Sequence, residues 1–126
     1  MRLSAVERDL LAEGLEDVVG LWEVIRRVRQ ECPGLSAEEV RRTTLHTVKQ
    51  LLDQRWMDIG GALRADGTLN PWDVSADDAL ARIDAAWAEL GREPDVWDIG
   101  WLATTAAGEK VVRAHDRQPR RAPRAR

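Results

Sequence analysis

The sequence has no phenylalanine and no tyrosine, and it holds one cysteine, two histidines and two lysines. A single thiol, Cys32, excludes an internal disulfide, and with only His46 and His115 beside it no Cys/His zinc set can be assembled. Long apolar runs are missing too. Glu7 and Asp9 interrupt the N-terminal stretch where a secretory signal needs unbroken hydrophobicity, and no run nears the roughly 18 residues of a membrane span. A reducing, cytoplasmic setting without membrane association is expected. Five prolines and nine glycines are too few for collagen or low complexity, and 44% hydrophobic against 33% charged residues excludes wholesale disorder. No Gly-x-Ser-x-Gly elbow, phosphate loop or dinucleotide fingerprint occurs. The expectation is therefore a non-enzyme, with no catalytic residue, metal, cofactor or small-molecule ligand.

What is present suits one globular domain. A chain of 126 residues removes about two-thirds of its unfolded surface from water, enough for a core without a staple. Arginine outnumbers lysine 17 to 2, a bias expected of a GC-rich bacterial genome. The net charge of −3 is unevenly divided: residues 1–112 carry 13 basic and 21 acidic side chains, a charge of −8, whereas residues 113–126 carry six basic and one acidic, a charge of +5. An acidic body repels phosphate at long range, which leaves nucleic-acid contact to the tail or to a local basic patch.

Capping patterns and apolar spacing divide the chain. Ser4-x-x-Glu7 opens a first helix and Gly14 suits its stop. Leu15, Val18, Val19, Trp22, Ile25 and Val28 recur at steps of three and four, which predicts a central helix from Leu15 to Cys32, ended by Pro33-Gly34. Ser36-x-x-Glu39 starts a helix reaching roughly Arg55, with Val40, Thr44, Val48, Leu51 and Leu52 on one side. Trp56 to Gly60 reads as a strand. Asp66-Gly67 supplies a turn with positive φ, so residues 56–64 and 68–74 pair as a loose hairpin with Pro71 at an edge. Ser75-x-x-Asp78 starts a helix striped by Leu80, Ile83, Trp87 and Leu90 and stopped at Gly91. Trp97, Ile99 and Trp101 alternate as a strand, and a helix from Thr105 to Val112 closes the domain. Residues 113–126 lack apolar periodicity and are expected to form an unstructured basic tail. The Trp56–Gly60 and Trp97–Gly100 segments echo one another and are expected to pair.

The order of helix, helix and strand, followed by Trp101-Leu102 and the corner Thr105-Ala106-Ala107-Gly108, resembles the winged helix-turn-helix family over about residues 15–112. The resemblance implies an α+β, winged-helix-like fold with helices packed on a small antiparallel sheet, here carrying an extra helix inserted in the wing region. In that corner Thr105 would cap the closing helix and a small residue would allow close approach. The resemblance also implies a recognition helix at 36–55. Arg42, His46 and Lys49 fall on it at i, i+4 and i+7 as candidate nucleic-acid contacts, with Arg120 and Arg121 of the tail holding phosphates. Glu39 and Asp53 lie on the same face, as on an ordinary solvated helix.

Six tryptophans stand out. Trp22 and Trp87 sit in apolar stripes and Trp97 and Trp101 share a strand face, all reading as core, while Trp56 at a helix–strand junction is open either way. Trp72 with Asp73 lies in a loop, where the ring is either an anchor for a protein partner or a lid over the sheet. Asp73, Asp77 and Asp78 lack the spacing of a calcium loop and suit a helix N-terminus. His115-Asp116 falls in the expected tail, and Cys32 reads as a helix-end hydrophobe. The function expected from this pattern is a non-catalytic binding module for a protein partner, as a regulatory adaptor or an immunity or antitoxin-type protein, with self-association into a homodimer compatible. A DNA-binding transcriptional regulator is the alternative.

Overall fold

The computed structural model describes residues 3–96 and 98–117. In chain order the elements are α1 (Ala5–Glu16), β1 (Val19–Gly20), α2 (Leu21–Glu31), α3 (Ala37–Asp53), β2 (Met57–Gly60), β3 (Ala62–Leu63), β4 (Leu69–Asn70), α4 (Ala76–Leu90), β5 (Trp101–Thr104) and α5 (Ala106–Arg117). The fold is α+β: the helices pack on an antiparallel three-stranded sheet of order β1-β5-β2, beside a two-stranded β3–β4 ribbon.

Serine hydroxyls set three helix starts, because each accepts a backbone N–H that the first turn leaves without a partner. Ser4 and Glu7 exchange bonds of 3.1 and 2.9 Å at α1, and Ser36 and Glu39 repeat both at α3. Ser75 accepts the Asp78 N–H at 3.1 Å at α4, which ends at Gly91 as its sequence foretold.

The central helix from Leu15 to Cys32 does not form as one piece. α1 runs through Gly14 to Glu16, and the extended Asp17 together with β1 separates it from α2. Gly14 is no stop: a Cβ there would overlap Thr104 Oγ1, so glycine is what lets α1 lie flat on the sheet. Val19 is buried from a strand, opposite Leu102, which carries the apolar spacing across the break. The Gly20 N–H donates to Glu23 Oε2 at 2.9 Å and starts α2.

A second correction concerns the last strand, which begins at Trp101 and not at Trp97. The Asp98 N–H donates to the Asp95 carbonyl at 3.0 Å, the Asp95 N–H to Asp98 Oδ2 at 2.7 Å, and Ile99 takes a φ of +70°. That turn breaks the alternation; Trp97 itself lies outside the described residues. β2 therefore pairs with the segment after the echo, from Met57↔Thr104 to Gly60↔Trp101. The expected hairpin survives in reduced form, as β3 and β4 joined around Gly67 at φ +87°.

The closing helix is longer than expected. α5 continues to Arg117, so residues 113–117 are helical and not tail. The Arg8 guanidinium holds Asp116 at 3.0 and 3.1 Å, a contact between the chain's two ends that no local pattern encodes. The rest of the expected tail, residues 118–126, lies outside the described residues. The Thr105 corner does form: its hydroxyl accepts the Gly108 N–H at 3.1 Å and donates to the Arg55 carbonyl at 2.6 Å. It ties α5 to the point where Arg55, at φ +59°, turns α3 into β2. Among the described residues, no helix is long and apolar enough to cross a membrane.

Candidate functional site

Burying Val40, Thr44, Val48 and Leu51 fixes the rotation of α3 and turns Glu39, Arg42, His46, Lys49, Gln50 and Asp53 outward. The three residues singled out on this helix are thus brought onto one exposed crest, but their charges are not equally available. Lys49 Nζ donates to Asp53 Oδ2 at 2.9 Å and to Asp77 Oδ1 of α4 at 3.2 Å. Those bonds, Asp53 foremost, raise its pKa above the ordinary lysine value. On the same flank Arg41 donates to Asp84 Oδ1 at 2.6 Å and stacks 5.7 Å from the Trp87 ring centre. Two of the three cations on α3 are therefore matched by carboxylates of α4. Beyond the crest, Glu39 is held below the usual carboxylate range, first by the Ser36 backbone N–H, then by the Ser36 hydroxyl, with Arg42 adding charge attraction.

Away from α4 the crest is bordered by two hollows that meet at His46. One, of about 400 Å³, is lined by Leu35, Glu39, Arg42, Thr43 and His46. The other, of about 430 Å³, lies beneath the first turn of α1 and is lined by Ser4, Glu7, His46, Thr47, Gln50, Gln54 and Trp56. The uncharged side chains that α3 and its C-cap lend to the two hollows, Thr43 to the first and Thr47, Gln50 and Gln54 to the second, are spaced four, three and four apart, a pattern legible in the sequence. The charged series Arg42, His46 and Lys49 is the more conspicuous pattern on the same helix.

Trp72 occupies the lid position. Its backbone N–H donates to the Ile59 carbonyl at 2.8 Å, its half-buried ring lies over Gly61 and Gly100, and the Arg82 guanidinium stacks 4.1 Å from its centre. Asp73 beside it is exposed. Trp56 and Trp87 are buried, whereas Trp101 and Trp22 are half-buried; Trp22 is not the core residue its stripe suggested. Arg26 stacks 5.6 Å from the Trp22 ring centre, which satisfies the ring's outer face at the surface. Asp77 serves Lys49, and among the described residues no group of three or more His, Cys, Asp or Glu could hold a metal ion. Asp116 belongs to Arg8, and Cys32 ends α2, its N–H donating to the Val28 carbonyl at 2.8 Å. Arg120 and Arg121 lie outside the described residues.

Comparison of the chain with family models, with curated proteins and with solved structures returned no significant match.

Proposed function

We propose that this chain is a non-catalytic binding module that engages a protein partner through the outward face of α3 around His46. The observation that carries the reading is the charge balance of that face. Arg41 and Lys49 are tied to Asp84 and Asp77, while Glu39 and Asp53 add negative charge, so the crest offers no continuous cationic ridge to a phosphate backbone. Around Arg42 and His46 the hollows combine Leu35 and Trp56 with threonine and glutamine side chains, the mixture of apolar and hydrogen-bonding groups typical of a protein interface.

A second reading, a DNA-binding regulator, is favoured by one feature. α2 and α3 are separate helices joined through residues 32–36 with Gly34 at φ +90°, the arrangement by which a helix-turn-helix offers its second helix to a major groove. One experiment separates the two. A photo-crosslinking amino acid placed at Thr43 should give, in living cells, an adduct that protease removes and nuclease leaves intact, and that is lost when His46→Ala is combined with it. A nuclease-sensitive adduct would replace the protein-partner reading with the second.

A further inference from the structure

We propose that the outward face of α3 receives an extended segment of the protein partner, with the segment's main chain bonded by Gln50 and Gln54 and one of its aspartate or glutamate side chains bonded by Arg42. The inference rests on the proposed function and specifies the shape and charge of what the partner presents. The first observation is spacing. Arg42, His46, Gln50 and Gln54 follow one another at intervals of four, are all exposed, and together border both hollows. Gln54, the C-cap at φ −79° and ψ −6°, keeps the helical direction, so the four form a single row. Such a row is inclined by about 26° to the helix axis, which sets its members about 6.7 Å apart at a rise of 1.5 Å per residue. Two residues of an extended chain advance about 6.6 Å. Each member of the row therefore meets the same main-chain position of every second residue.

The second observation is chemical. The side chains of His46, Gln50 and Gln54 make no hydrogen bond among the described residues. Each glutamine amide carries donors and an acceptor side by side, the complement of a main-chain carbonyl and the N–H next to it. Arg42 differs from the other cations of α3. Arg41 is bonded to Asp84, and Lys49 to Asp53 and Asp77, whereas Arg42 has only charge attraction to Glu39 and no hydrogen bond among the described residues. Glu39 is engaged at the helix start, where its Oε1 accepts the Ser36 N–H at 2.9 Å, so the guanidinium fork is open to a second carboxylate. The acid of the other hollow is Glu7, so negative charge on the segment is favoured at the Arg42 end alone. Leu35 in the first hollow and Trp56 in the second offer apolar contact to the segment's side chains.

The test uses a random peptide library selected on the full chain. Selected peptides should carry an acid at one fixed position and shift the amide NMR signals of residues 42–54. Replacing that acid by its amide should weaken binding to the parent about tenfold and binding to Arg42→Ala hardly at all, the coupling expected of a charge-assisted hydrogen bond. Methylating the peptide's backbone nitrogens one at a time should weaken binding at alternate positions, and the alternation should vanish in Gln50→Ala/Gln54→Ala. Peptides without an acidic preference, binding indifferent to N-methylation, or signals shifted on another face would overturn the proposal. A protein adduct at Thr43 with no peptide selected on this face would overturn it as well and leave the proposed function standing, since the partner would then present a folded surface. A nuclease-sensitive adduct at Thr43 would remove both.

Discussion

The two flanks of α3 are built differently. Toward α4 the helix is packed: Ile83, Ala79 and Trp87 are buried on that side, Arg41–Asp84 and Lys49–Asp77 bridge the two helices, and a smaller hollow of about 230 Å³ remains where Ala37, Glu38 and Arg41 face Trp87 and Gly91. Toward α1 the helix stands off, leaving hollows lined by Thr43, Thr47, Gln50, Gln54 and His46. Apolar area holds a flank shut, while exposed ion pairs add little, because solvent screens them and ordering two long side chains costs entropy. The difference puts the packing that holds the helix on one side and leaves the other open to solvent.

That division breaks most readily at Ile83. Truncating this fully buried side chain to alanine removes transfer energy and leaves a cavity in the seam, so Ile83→Ala should cost about 2–5 kcal/mol of unfolding free energy in urea titration. His46→Ala on the open flank should stay within roughly 0.5 kcal/mol of the parent. Equal losses for the two would mean that the open flank is structural and that its hollows are gaps in packing.

The closed flank was also the more legible one. Ser36 and Ser75 fixed the starts of both helices, and Ile83 and Trp87 lay on a clean period, since capping and helical spacing are local properties of the chain. The break at Asp17 was hidden because Val19 reaches the core from a strand at the spacing a helix would use. Likewise Ile99 continued a strand period until its positive φ turned the chain, and α5 outran its apolar pattern through the distant Arg8–Asp116 contact. On the candidate site, sequence spacing brought Arg42, His46 and Lys49 to one crest. That α4 binds Lys49 depends on two helices meeting across 28 residues, which spacing within one helix does not contain.

A smaller effect sharpens the contrast at the far edge of the closed region, where Arg82 stacks on the Trp72 lid. Arg82→Leu keeps much of the aliphatic cover and removes the cation, and should cost about 0.5–1 kcal/mol, as expected of an exposed cation–π pair. The near-ultraviolet signal of Trp72 should change with it. A loss as large as that of Ile83→Ala would show Arg82 acting through packing of α4 and not through the ring.

The weakest expected effect lies at the start of α3 and depends on pH. The Glu39 carboxylate accepts the Ser36 N–H, and its pKa in the folded chain is lowered for that reason first. The folded state then binds this proton less readily than the unfolded chain, so unfolding takes up protons and stability rises with pH across the interval between the two values. The contribution is complete above the ordinary glutamate value of about 4.3 and is lost as pH falls through the lower folded value. Glu39→Gln preserves a side-chain acceptor for the Ser36 N–H but cannot titrate, so its stability should vary less than the parent's through that acidic interval. Because Glu39 is fully solvated, the divergence should be small and should shrink further with added salt. Parallel pH profiles for parent and variant would mean that the carboxylate caps α3 without preferring its charged form, and that acid sensitivity resides elsewhere in the fold.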